Sequence, residues 1–229
     1  MANRPLFVPK STGPAFVAEV SLEFTWVAGM AASQKRKNVV SLHKAAFQRG
    51  YDTVLEISTK SQVPLGEALS AFSLMLDLRG TGKLCVEAAF QGSKVFENGG
   101  PYSEFYKMTG REIRADERLR NSGRLLGFDL AGQKWGLEPK TAFYDWLYLT
   151  ALMQNPALSS QILDFEGFTD IEFNPEKSIN CQARTAALFV SIKRRGIFEE
   201  VLRSKTDFLN AFNPGQKEKP DVMSQTRLF

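Results

Sequence analysis

Val86-Glu87-Ala88-Ala89-Phe90-Gln91-Gly92-Ser93-Lys94-Val95-Phe96 is the stretch on which the reading of this chain turns. Read as a helix, it stacks Glu87, Gln91 and Lys94 on one face, because positions i, i+4 and i+7 lie above one another. Phe90 shares that face, while Val86 and Ala89 turn toward a core. A carboxylate, an amide, an amine and an aromatic ring together have the makings of a site. The same spacing also describes a solvated helix face with one aromatic anchor.

Outward from this stretch, Arg79-Gly80-Thr81-Gly82 is a turn, and a helix carrying Leu65, Leu69, Phe72 and Leu76 precedes it. Glu97-Asn98-Gly99-Gly100-Pro101 ends the central helix, since paired glycines and a proline do not extend one. Residues 17–27 alternate strictly: Ala18, Val20, Leu22, Phe24 and Trp26 face one way, and Glu19, Ser21, Glu23 and Thr25 the other. That is a half-buried strand. Ser33 to Asn38 reads as a basic turn, with Asn38 capping a helix through Val39, Leu42, Ala46 and Phe47 that Gly50 stops. Residues 53–58 read as a second strand. Residues 103–131 read as two short helices, and Phe143, Trp146, Leu147 and Ala151 mark a helix over 140–154. Short helices are expected at 158–164 and 197–204, a short strand at 170–173, and a helix over 178–195. The fold class is α+β, helix-dominated, with two or three strands. Residues 1–212 are expected to form one domain, and 213–229, rich in Lys, Glu and Pro, a C-terminal tail.

The 229 residues hold 18 Phe and are 43% hydrophobic, enough for a sizeable core. The net charge of +4 suits a polyanionic substrate or nucleic acid, and equally plain solubility. Cys85 and Cys181 make no disulfide scaffold, and one histidine, His43, argues against a Ser-His-Asp triad or a multi-histidine metal site. No metal or other cofactor is expected. No apolar run is long enough for a membrane span and no apolar signal core opens the chain, so the expected location is the cytoplasm.

Val86-Glu87 followed by Phe90-Gln91 and Lys94-Val95-Phe96 resembles the signature of the NADAR family, roughly Val-Glu-His-x-Tyr/Phe-Gln-x-x-Lys-Phe. Leu69-Ser70-Ala71-Phe72-Ser73 resembles the family's Leu-Ser-Asn-Phe-Ser. Ile171-Glu172-Phe173-Asn174-Pro175, Asn180, and Ala186 with Leu188 resemble its late strand, Asn and final helix. Gln34-Lys35-x-Lys37, Ser41-Leu42-His43, Phe143-Tyr144-Asp145-Trp146 and Ser178-Ile179-Asn180-Cys181 look like the branch encoded beside DarT toxins, enzymes that attach ADP-ribose to DNA bases. Ala88 stands where the family usually has His, and Ala71 where it has Asn, so a role needing either does not transfer.

The resemblance implies a NADAR (YbiA-like) single domain and a hydrolase that removes ADP-ribose from guanine in DNA, serving as antitoxin to a DarT-like transferase. The bond joins the anomeric carbon to the exocyclic amine of guanine, and its cleavage develops positive charge on the ribose. Glu87 is the candidate carboxylate beside that carbon. Lys94 either binds phosphate as a point charge or attacks the ring-opened sugar as a neutral amine and forms a Schiff base, which needs a lowered pKa. Lys35 is a candidate for the pyrophosphate, or simply solvated. Ser70, Phe72, Phe90, Gln91, Phe96 and Asn180 are candidate substrate-binding residues; the aromatics read equally as core, and Asn180 as a helix cap. Asp170 or Glu172 is a candidate second carboxylate, and His43 reads as structural. A duplex hides the adduct, so the expected partner is ADP-ribosylated DNA presented single-stranded or with guanine extruded, with ADP-ribose as product. Two alternatives stay open: an N-glycosidase acting on small metabolites such as riboflavin-pathway intermediates, and a non-catalytic antitoxin that binds its toxin.

Overall fold

The computed structural model describes residues 1–29 and 31–212. The expected tail, 213–229, lies outside the described residues. In chain order, β1 (Ala2–Pro9) and β2 (Val17–Phe24) lead into α1 (Ala32–Phe47), β3 (Val54–Glu56) and α2 (Pro64–Ala68). Next come β4 (Met75–Leu78), β5 (Gly82–Cys85), α3 (Val86–Gly92) and β6 (Lys94–Phe96). A 3₁₀ turn at Ser103–Lys107 precedes α4 (Gly110–Ala115), α5 (Arg118–Asn121), β7 (Leu125–Leu130) and β8 (Gln133–Trp135). The chain continues with α6 (Ala142–Gln154), α7 (Pro156–Gln161), β9 (Gly167–Thr169), α8 (Gln182–Arg194), α9 (Phe198–Val201) and α10 (Lys205–Phe212). The class is α+β and helix-dominated, as expected.

These elements form two compact units. The first comprises Met1–Ser73 and Asn155–Phe198; the second begins at Leu74, runs to Gln154, and resumes at Glu199.

The first unit is built on a four-stranded sheet of order β2-β1-β9-β3. β1 and β2 pair antiparallel from Ala2↔Phe24 to Pro9↔Val17, so the alternation of β2 puts Leu22 and Phe24 on the core face and Glu19 and Glu23 in water. β3 runs parallel to β9, with Glu56 opposite Thr169. Leu6, Leu22, Phe24, Val39, Leu42, Ala46 and Ile171 form the core beneath α1. Gly167 permits a close strand approach, because a Cβ there would lie 2.7 Å from Leu6 Cδ1.

In the second unit, β4 and β5 form a hairpin closed by Arg79-Gly80-Thr81, and β6-β7-β8 form an antiparallel sheet. Every residue of α6 from Ala142 to Leu152 is buried, as befits a helix with apolar residues on all its faces, and the buried Asp145 carboxylate accepts from the Thr141 hydroxyl at 2.7 Å. Phe143 stacks on Phe128 at 4.6 Å and approaches Trp135 at 5.6 Å, and Trp135 meets Trp146 at 5.0 Å.

Several expected elements differ. Residues 33–38 belong to α1 rather than to a turn, and Asn38 is an internal, fully buried residue, not a cap. Its amide reaches the backbone of Val27, accepting from Val27 N–H (2.7 Å) and donating to Val27 O (2.9 Å). The helix expected to carry Leu65 through Leu76 stops near Leu69, and Met75–Leu78 is a strand with alternating burial. The strand expected at 170–173 lies earlier, at Gly167–Thr169; after it the chain turns, Phe173 N–H donating to Asp170 O at 3.2 Å. α8 begins at Gln182, not 178, and the region 103–131 includes β7 beside its short helices. Nine strands, rather than two or three, occur among the described residues, most of them too short to show periodicity.

Candidate functional site

α3 begins where Cys85 Sγ accepts the N–H of Ala88 at 3.5 Å. Glu87 sits in its first turn, where a carboxylate faces the positive end of the helix dipole. Ala88, Ala89, Phe90 and Gly92 are buried. Gly92 is required by packing, since a Cβ would fall 2.5 Å from the Tyr106 ring. The helix ends at Ser93, whose hydroxyl donates to Ala89 O at 2.7 Å.

Lys94 is therefore not helical, correcting the expectation for Val86–Phe96. It opens β6 and pairs with Phe128 of β7, and Asp129 N–H donates to Ser93 O at 2.7 Å. Glu87 and Lys94 nonetheless stay within electrostatic reach of one another. Gln91 Nε2 donates to Glu87 Oε1 at 3.0 Å, as i, i+4 neighbours do on a helix. Gln91 Oε1 is buried with no hydrogen-bond partner among the described residues. A buried orphan acceptor is costly and marks a place where a donor on a ligand would be welcome. Lys94 Nζ lies 5.1 Å from the centroid of the Phe90 ring. Burial against this apolar surface pushes the Lys94 amine below the usual lysine range, and the Glu87 carboxylate pulls it back up. Phe90 is buried, edge-on to Tyr144 at 5.3 Å and beside Phe128 at 5.3 Å. Phe96 joins a cluster with Ala88, Tyr102, Phe105 and Ile113. A shallow concavity on the sheet of this unit is lined by Val95, Leu126, Phe128, Asp129, Lys134 and Trp135, among others; Glu87 and Lys94 do not line it.

The remaining expected residues belong to the first unit. Lys35 lies on α1 and is ion-paired to Glu172 at 2.9 Å. Ser70 is fully buried, and its hydroxyl accepts the N–H of Phe72 at 3.4 Å. Asn180 precedes α8, whose N-cap position is Cys181, and the Asn180 carbonyl accepts from the Ser178 hydroxyl at 3.1 Å.

Sequence reading missed Glu56 and Gln182, which organise a buried polar network. Glu56 Oε1 accepts from the Ser58 hydroxyl (2.6 Å) and Ile171 N–H (2.9 Å), and Oε2 from the Thr169 hydroxyl (2.7 Å). Thr169 Oγ1 also contacts His43 Nε2 at 2.9 Å. Gln182 Nε2 donates to Ile57 O (2.7 Å) and Asp170 Oδ2 (3.0 Å), while its Oε1 accepts Ala71 N–H at 2.7 Å. Gln182 thus fastens the Ser70–Phe72 segment to the end of β3. A charged residue inside the apolar run Val54-Leu55-Glu56-Ile57 was the available signal.

Burial, reinforced by the nearby Glu56 carboxyl, raises the Asp170 carboxyl to about 8; burial lowers His43 to about 4. Between pH 6.5 and 8 the folded protein holds an Asp170 proton that the unfolded chain has lost, so this group's stabilisation declines as pH rises. His43 acts oppositely, but only below about pH 6.5. Urea unfolding midpoints across pH 6.5–8 are expected to fall in the wild type and to stay flatter in Asp170→Asn. The difference is at most about 1.4 kcal/mol per pH unit, the limit for one proton. Equal slopes would place the titrating group elsewhere.

Among the described residues no group of three or more His, Cys, Asp or Glu side chains is placed to hold a metal ion, and no helix is long and apolar enough to cross a membrane. The family model described as DarT1-associated NADAR antitoxin matches residues 2–222. No curated protein matches the chain.

Proposed function

From a chain that belongs to the DarT1-associated NADAR antitoxin family, we propose an enzyme that hydrolyses the N-glycosidic bond between ADP-ribose and guanine in DNA and so reverses the modification made by a DarT-like toxin. The observation that carries this reading is the α3–β6 junction. There a desolvated amine, 5.1 Å from the centroid of the Phe90 ring, lies within electrostatic reach of the Glu87 carboxylate, and that carboxylate accepts from Gln91, whose amide oxygen is unpaired among the described residues.

In the proposed mechanism Gln91 Oε1 accepts a hydrogen bond from a ribose hydroxyl. Glu87 gives its negative charge to the oxocarbenium-like carbon as the bond to guanine stretches. Lys94 Nζ, as the neutral amine, supplies its electron pair to the anomeric carbon. The bond to the exocyclic nitrogen of guanine breaks, and that nitrogen takes up a proton given up by the attacking amine. The ring carbon–oxygen bond of the resulting glycosylamine then opens, the ring oxygen taking the second amine proton, and an imine forms between Lys94 and the opened sugar. Water adds to the imine carbon, the lysine amine leaves with a proton from the added water, and the sugar recloses as free ADP-ribose. Atoms balance as one water consumed per bond cleaved. The lowered amine pKa supports the nucleophilic role over a phosphate contact, because only the neutral form carries a free electron pair.

The test offers purified protein a single-stranded oligonucleotide carrying ADP-ribose on guanine and, in parallel, N-glycosides of small metabolites. The expected result is turnover of the DNA adduct to free ADP-ribose and unmodified oligonucleotide, with little turnover of the small compounds. The reverse order would move the activity to small metabolites. Protection of the DNA through a stoichiometric toxin complex, with no ADP-ribose released, would make the protein a binding antitoxin.

A further inference from the structure

The sequence contains two dense basic runs, Lys35-Arg36-Lys37 and Lys193-Arg194-Arg195. The structure uses them differently. Arg194 donates to the carbonyls of Leu163 (2.9 Å) and Phe165 (3.0 Å). Arg195 donates to the carbonyls of Lys10, Thr12, Gly13 and Ala15 and lies 4.2 Å from the Phe16 ring centroid. Lys193 Nζ sits 3.7 Å from the Phe198 ring centroid. This second run holds the fold together.

In the first run only Lys35 is paired, to Glu172. Arg36 and Lys37 are exposed and make no ion pair among the described residues, and the same is true of Lys44. At about 100° per residue, Ser33, Arg36, Lys37, Val40, Lys44 and Phe47 fall within an arc of roughly 100° of α1. Asn38, Val39, Leu42 and Ala46 point the opposite way, into the core. The exposed arc runs about 16 Å from Arg36 to Phe47. Two of its members are apolar and open to solvent, Phe47 at 63% and Val40 at 57% exposure.

A merely solvated helix face mixes charge signs and favours acids in its first turn. The 16 residues of α1 contain four cations and no carboxylate, and three of the cations lie in its N-terminal half, toward the positive end of the dipole. This charge pattern disfavours the helix locally and fits an external polyanion. We infer that the outer face of α1 is a track for the backbone of a single-stranded DNA, with Arg36, Lys37 and Lys44 on phosphates and Phe47 stacking on a base. An acidic protein would also match the charge and would cover Phe47 together with Val40; its binding is the contrary outcome of the test below.

The inference rests on DNA being the substrate, and its test is separable from the chemistry at Glu87 and Lys94. Binding of unmodified single-stranded oligonucleotide to the full chain is followed by fluorescence anisotropy between about 50 and 200 mM salt. In Arg36→Ala/Lys37→Ala/Lys44→Ala the slope of log affinity against log salt should flatten by about 2, at about 0.7 per single-strand phosphate lost. Alanine favours helix, so α1 persists in this variant, as circular dichroism will verify. Phe47→Ala should weaken binding about 5- to 100-fold with the slope unchanged, as loss of one stacking contact does. Lys107→Ala/Arg111→Ala/Arg120→Ala removes equal charge elsewhere and should leave the slope near wild type. ADP-ribose release from a modified mononucleotide should be unaffected by the α1 variants. An unchanged slope in the α1 variant, an equal loss in the control, or binding only to an acidic protein overturns the track. Loss of mononucleotide turnover in Glu87→Gln with a normal salt slope, by contrast, reports on the chemistry alone.

Discussion

Glu87→Gln is expected to slow ADP-ribose release from modified DNA by about 10²- to 10⁴-fold, the usual range for removing a carboxylate that acts in the transition state. The substitution keeps shape and length, and the new amide can still present an oxygen to Gln91 Nε2, which donates to Glu87 Oε1 at 3.0 Å. What disappears is a negative charge close to the developing positive charge of the sugar. The effect should fall on kcat, with KM changed only a few-fold, because the charge matters little until the glycosidic bond stretches. Stability should drop by no more than about 0.3–1 kcal/mol, the value of one acid in a helix's first turn. A full rate in Glu87→Gln would remove Glu87 from the reaction.

Lys94→Arg separates the two roles that a lysine has beside a phosphorylated sugar. Arginine keeps the cation and never surrenders its proton in a protein. If Lys94 served only as a point charge on phosphate, Lys94→Arg would retain much of the activity. The nucleophilic role instead predicts that turnover falls to background while the modified DNA still binds. The pH dependence carries a sign as well. Burial lowers the Lys94 amine from its ordinary value, so activity should rise with pH toward a midpoint below that of a free lysine. Glu87 holds the amine up, so in Glu87→Gln the midpoint of the residual activity should move to lower pH. A midpoint that moves upward, or not at all, would mean that the two groups do not sense one another.

Some of this was open to inspection in the amino-acid sequence. Alternation placed β2 and its buried Leu22 and Phe24, and an apolar helix near 140–154 appeared as α6. The motif around Glu87 marked the α3–β6 junction, although as one continuous helix. Lys94 left the helix because Ser93 and Lys94 are claimed by β7, whose residues lie more than thirty positions further on. Local periodicity carries no record of such pairing. The start of α1 was misplaced for a related reason: Asn38 looked like a cap, but its amide is spent on Val27 across a bend. Glu56 meets Thr169 and Ile171 only through the parallel pairing of β3 and β9, which brings distant segments side by side. Lys35 reads in the sequence as a candidate for the pyrophosphate or as a solvated cation; its pairing with Glu172 depends on the turn after β9, again a contact of tertiary origin.

The central claim is that Lys94 meets the anomeric carbon of the ADP-ribose, and chemical trapping tests it most directly. Modified oligonucleotide is mixed with the protein and cyanoborohydride, which reduces an imine to a stable secondary amine, and the digested protein is mapped by mass spectrometry. The predicted result is a peptide containing Lys94 that has gained the mass of reduced ADP-ribose, with unmodified oligonucleotide released alongside. ADP-ribose released with no trapped peptide, or an adduct on another lysine, would contradict it.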